Sequence, residues 1–76
     1  MQSYVAKSLN LKTFEENALV CTMSNGYPVF ALVLSQVDKK EIPGYNLRVI
    51  DQAVIEKLGF SDIWISSDSI MLAEEA

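Results

Sequence analysis

Apolar and polar residues alternate along the chain in a pattern typical of β-strands separated by turns. Two apolar runs, residues 18–23 and 29–37, flank the dipeptide Asn25-Gly26. This dipeptide between two such runs is the strongest short-range signal for a β-hairpin, because both residues tolerate the positive φ of a type I′ turn. The pattern therefore predicts an antiparallel sheet built around this hairpin.

The second strand of the hairpin, residues 27–37, is the longest that the sequence predicts. Residues 29–34 are apolar on both parities, so we expect both faces of this strand to be covered. Pro43-Gly44 is typical of a type II turn, which would bring the chain back as another strand over residues 45–50.

A short helix is predicted over residues 52–58. Asp51 is well placed as its N-cap, because a carboxylate there accepts hydrogen bonds from the first backbone N–H groups. Gly59 fits the left-handed residue that ends a helix, with Phe60 packing back over the last turn.

Three more strands complete the predicted fold, over residues 4–9, 61–66 and 70–73, the last two joined by a tight turn at Ser67-Asp68. The sequence thus predicts one α+β domain over residues 1–76, with an antiparallel meander of about five strands and one short helix.

An alternative fold depends on residues 14–23. Thr13 and Glu16 have the spacing of a helix capping box, and a helix here would give the ferredoxin-like order βαββαβ. We favour a strand instead, because apolar residues run unbroken from 18 to 21.

The predicted sheet has more surface than one helix can cover. A seven-residue helix is about 10 Å long, whereas five strands make a sheet about 20 Å wide. Either the sheet curls over itself like a barrel, or a second copy covers it, and a homodimer is the simpler expectation. The aromatic residues would be core residues in the first case and interface anchors in the second.

Charge and composition narrow the class of partner. Residues 1–50 carry five basic and four acidic groups, whereas residues 51–76 carry six acidic groups against Lys57 alone. This balance opposes nucleic-acid binding, although a single-stranded nucleic-acid-binding module is kept as an alternative. An acidic surface is typical of a protein that is kept in solution by its charge, and a basic protein partner is the second interpretation. The single Cys21 favours a reducing cytoplasm, and no apolar run is long enough to predict a membrane segment.

Motifs for chemistry are missing from the sequence. There is no histidine, the carboxylates do not follow a known ligand loop, and no glycine-rich phosphate loop occurs, so we predict neither a metal site nor a cofactor. Cys21 lies among apolar strand residues and is expected to be a buried thiol. A cryptic enzyme is the least favoured alternative.

The resulting hypothesis is a small cytoplasmic accessory or regulatory protein that acts by binding a protein, either its own copy or a larger target. Small domains without motifs are frequent among the accessory proteins of phages and mobile elements. One candidate contact surface is the acidic segment 51–75 anchored by Trp64, and the other is a sheet edge along residues 27–37. The candidate interface residues are Trp64, Asp62, Asp68, Tyr27, Phe30 and Tyr45.

Overall fold

The computed structural model describes residues 4–7, 13–24, 26–59 and 61–75, which form one antiparallel sheet with one helix. The strands are β1 (Tyr4–Lys7), β2 (Leu19–Ser24), β3 (Tyr27–Gln36), β4 (Gly44–Val49), β5 (Asp62–Ser66) and β6 (Met71–Glu75). Helix α1 spans Gln52–Leu58, and a 3₁₀ turn spans Ser67–Ser69. The strand order is β1-β6-β2-β3-β4-β5, so β2 to β5 form the meander. The predicted α+β class is confirmed.

The hairpin at residues 25 and 26 is present, and the ferredoxin-like alternative is not. Ser24 pairs with Tyr27, and Gly26 has a φ of 83°, although Asn25 lies outside the described residues. Phe14 starts no helix: its N–H donates to the hydroxyl of Tyr45 at 3.0 Å. The β-branched and apolar residues of β2 pair with β3 instead.

The predicted turn at Pro43-Gly44 is wrong. The chain reverses at Lys40 and Glu41, which have φ angles of 50° and 67°, the positive values of a type I′ turn. Lys39 and Ile42 exchange backbone hydrogen bonds of 3.0 and 2.9 Å across it. The reason is that backbone pairing continues beyond the ends of β3 and β4 as far as Lys39 and Ile42. Only Lys40 and Glu41 are then left to form the turn.

Helix α1 has the predicted bounds and caps. The Asp51 Oδ1 atom accepts a hydrogen bond from the Ala53 N–H at 3.0 Å. Gly59 ends the helix with a φ of 82°, and its N–H donates to the Ile55 carbonyl at 2.8 Å. The packing predicted for Phe60 lies outside the described residues.

The predicted hairpin between the last two strands is also wrong. β6 pairs with β1 and β2, whereas β5 is the far edge of the sheet. The 3₁₀ turn between Ser66 and Met71 spans at most about 17 Å, but a flat sheet would separate these strands by about 19 Å. The sheet must therefore curl, which brings Ile63 of β5 against the same core as Val20 of β2.

Curling makes one face of the sheet the core. Its side chains alternate along β3 and β4 with outward-facing residues, as a pleated strand requires. Tyr45 is 1% exposed, and its ring packs edge-on against Phe14, with centroids 5.4 Å apart. The buried cluster comprises Val20, Ala31, Val33, Tyr45, Leu47 and Ile70.

Candidate interaction surfaces

The outer face of the sheet has an apolar half and a polar half. The registers place Leu19 opposite Leu32, and Cys21 opposite both Phe30 and Met71. Because paired residues share a face, these side chains all point outward, away from the core of Val20 and Ala31. We call the outward-facing group of Leu19, Met23, Phe30, Leu32 and Met71 the outer apolar patch.

Large side chains partly close this surface. The rings of Tyr4 and Phe30 meet with centroids 5.3 Å apart, although two strands separate β1 from β3. They must lean over the small residues between them, which explains why the outward-facing Cys21 is 0% exposed. The patch itself stays open, with Met23 54% exposed and Leu19, Phe30, Leu32 and Met71 half-buried.

β4 and β5 supply the polar half. The Arg48 Nε atom donates to Asp62 Oδ1 at 3.2 Å, with both side chains more than half exposed. Asn46 donates to the Ser35 hydroxyl at 3.4 Å. Arg48 therefore lies opposite Leu32 at the border of the apolar half, and Asp62 is its ion-pair partner one strand further out on the same face.

Trp64 packs tightly on the outer face of β5. Its indole N–H donates to the Val37 carbonyl at 2.7 Å, and the Lys39 Nζ atom lies 5.1 Å from the ring centroid. The ring covers Gly44, where a Cβ atom would overlap it. The candidate anchor is half-buried by the chain itself, which leaves only part of the indole accessible.

The remaining candidates are widely separated. Tyr27 is 68% exposed at the tip of the first hairpin, with the Lys57 Nζ atom 5.4 Å from its ring centroid. Asp68 is exposed in the 3₁₀ turn. Tyr45 lies in the core, because its parity on β4 is inward, so it offers no surface to a partner.

The expected sheet edge along residues 27–37 is wrong. β3 has β2 on one side and β4 on the other, so it lies inside the sheet. The long apolar run over residues 29–34, from which we expect both faces of the strand to be covered, is explained by burial of one parity and partial burial of the other. The patch residues Leu19, Leu32, Met23 and Met71 were missed because strand parity, their only signal, does not show which face is inward.

Two cavities lie near α1, which joins the last two strands of the meander. One, of about 290 Å³, separates Val54 and Leu58 of the helix from Tyr27 at the hairpin tip. The second, of about 260 Å³, lies between β2 and β5 and is lined by Met23, Leu58 and Ile63 among others. Both are mainly apolar and share Leu58, so they are neighbours.

The described side chains at these surfaces give little support for a catalytic thiol or a metal site. Burial raises the pKa of the Cys21 thiol, and a hydrogen bond from the Val29 backbone offsets part of that rise. A thiol that keeps its proton is a poor nucleophile. Among the described residues, no three acidic, cysteine or histidine side chains come close enough to hold a metal ion.

The basic side chains described by the structure do not share one face. Lys39 and Lys40 lie in the β3–β4 turn, Arg48 is paired with Asp62, and Lys57 stands beside Tyr27. Nucleic-acid binding stays a hypothesis that this distribution does not favour.

Comparisons with known proteins give no relative for this chain. No family model matches it, and neither a curated protein nor a solved structure is significantly similar. In the part of the chain that the structure describes, no helix has the length and apolar character needed to cross a membrane.

Proposed function

We propose that this protein is a small accessory or regulatory protein that acts through protein–protein interaction, and that it self-associates through the outer apolar patch. The observation that carries the proposal is the division of the outer sheet face. Apolar residues occupy β2, β3 and the start of β6, whereas the same face of β4 and β5 carries Asn46, Arg48 and Asp62 beside the half-buried Trp64 ring.

The composition of the patch supports an interface. Methionine and aromatic residues are enriched where proteins meet, and the patch contains Met23, Met71 and Phe30. Methionine is flexible and adapts to an irregular partner surface. The Arg48–Asp62 pair beside the patch resembles the polar rim that surrounds the apolar centre of many interfaces.

The size of the patch predicts a weak dimer. Three strands measure about 14 Å across, and the rows from Leu19 to Met23 extend about 17 Å with their side chains, which gives about 250 Å². A stable interface buries about 800 Å² on each partner. We therefore expect two copies to meet around a two-fold axis with a dissociation constant between about 1 μM and about 1 mM.

Charge substitutions on the two halves of the face test the proposal. Leu32→Glu places a carboxylate in the patch, and Ser35→Glu makes the same charge change at an exposed position further along β3, on the polar half. Sedimentation equilibrium should give a monomer mass for Leu32→Glu at concentrations at which the unchanged chain and Ser35→Glu associate. Far-UV circular dichroism verifies that both variants are folded.

Two results would contradict self-association through the outer apolar patch. If Leu32→Glu associates as strongly as the unchanged chain, the patch is not the contact surface. If Ser35→Glu loses association equally, general charge repulsion and not the patch controls the mass.

A further inference from the structure

The far edge of the sheet, β5, has a row of backbone groups without a strand beside it among the described residues. The Ser61 carbonyl accepts from Val49 at 2.7 Å, and the Ser67 N–H donates to Pro43 at 2.9 Å, so both residues face β4. Backbone direction alternates along an antiparallel strand. The N–H and C=O groups of Asp62, Trp64 and Ser66 therefore face away from the sheet.

An apolar cavity lies directly beside this edge. Over the residues that the structure describes, the sheet curls without pairing β5 to another strand beyond β4, and the cavity of about 260 Å³ lies between β5 and the end of β2. Leu58, Ile63 and Ile65 supply much of its apolar lining, together with Met23, the one residue that the cavity shares with the outer apolar patch. We call this gap, with the free edge of β5, the seam.

We propose that the seam binds an extended basic peptide segment of a partner protein, which adds to β5 as a further strand. Peptides that add to a sheet edge gain affinity from main-chain hydrogen bonds and specificity from pockets for alternate side chains. The outward backbone groups of β5 supply the main-chain hydrogen bonds, and the cavity supplies a pocket for alternate side chains.

The chemistry of the peptide follows from the two sides of the seam. Every second side chain of an added strand would face inward, beside Ile63 and Ile65, and should be apolar. The others would face outward, where Asp62, the ion-pair partner of Arg48, lies at the beginning of β5 and Lys39 lies over Trp64. The exposed Asp68, which forms no ion pair among the described residues, follows the end of the strand. Residues 51–76 also carry six acidic groups against one basic group, so alternating apolar and basic residues are complementary to the seam.

The probe is a blocked eight-residue peptide of alternating valine and lysine, titrated against the protein by calorimetry. The matched control peptide alternates valine and glutamate. Two further peptides carry N-methyl groups either on every valine or on every lysine nitrogen. The N–H groups that face β5 belong either to the valines or to the lysines, depending on whether the peptide pairs parallel or antiparallel to β5. One methylated peptide should therefore bind like the parent peptide, and the other should lose binding.

A pair of variants at one residue tests the protein side. Ser66 has a φ of −65°, which proline also adopts, so Ser66→Pro removes one outward N–H without changing the backbone. Ser66→Ala removes the same hydroxyl and keeps the N–H. One lost hydrogen bond should weaken the valine–lysine peptide about two- to tenfold in Ser66→Pro relative to Ser66→Ala.

Several outcomes would overturn the inference. They are the absence of saturable binding, equal binding of the valine–glutamate peptide, equal binding of both methylated peptides, and equal affinities of the two Ser66 variants. Loss of self-association in Ser66→Pro would assign the edge to a second copy instead. Peptide binding that persists in the monomeric Leu32→Glu variant would separate the seam from the outer apolar patch.

Discussion

Gly44→Ala should destabilise the protein because of one close approach. Gly44 lies beneath the Trp64 indole, and a Cβ atom there would overlap the Cζ2 and Cε2 atoms of the ring. The backbone at Gly44 does not have the positive φ that would itself require glycine. The expected effect therefore comes from the displaced indole alone.

The size of the destabilisation follows from the contacts that the Trp64 indole loses. Moving the ring breaks its 2.7 Å hydrogen bond to the Val37 carbonyl, worth about 1 kcal/mol. Overpacking a fitted site costs a further 1–3 kcal/mol or so. The free energy of unfolding should fall by about 2–4 kcal/mol, a large part of the roughly 4–11 kcal/mol expected for a domain of this length.

Urea denaturation measures this change, with the fluorescence of the only tryptophan as the probe. A double-mutant cycle with Trp64→Ala, followed by circular dichroism, isolates the contact. In the Trp64→Ala background, Gly44→Ala should be neutral or stabilise by about 0.5–1 kcal/mol, because alanine is less flexible than glycine within a strand. A destabilisation of equal size in both backgrounds would show that contact with the indole is not the cause.

Further predictions concern three single residues, Tyr45, Asp51 and Cys21. Tyr45→Phe removes the hydroxyl that accepts from the Phe14 N–H, and urea denaturation should show a loss of about 1–2 kcal/mol. Asp51→Ala removes the N-cap of α1 and should cost about 1 kcal/mol, whereas Asp51→Asn, which caps as well, should cost little. The buried Cys21 thiol should react with a thiol reagent far more slowly in the folded protein than in urea. Because its pKa is raised, the folded state keeps a proton that the unfolded state loses, so stability should fall as the pH rises above about 8.5 in urea titrations.

Features decided by neighbouring residues were predictable from the sequence. Asp51 and Gly59 fixed both ends of α1, because capping depends on side chains within a few positions of the helix end. The first hairpin was predictable for the same reason, since a two-residue turn leaves one register for the strands.

Features decided by distant residues were not predictable. Nothing near Ser67 indicates that β6 will pair with β1 and β2 and not with β5. The Pro43-Gly44 dipeptide predicts a turn, and nothing near it indicates that Gly44 packs against Trp64, which is 20 positions away. Alternation in β4 places Tyr45 on one face, but only the assembled sheet determines that this face is the core.

Self-association through the outer apolar patch is the basis of the proposed function. Light scattering across a concentration series, on the unchanged protein, tests it most directly. We expect a mass that rises from 8.5 kDa in dilute solution toward twice that value at high concentration. A mass of 8.5 kDa at every concentration up to the millimolar range would contradict it.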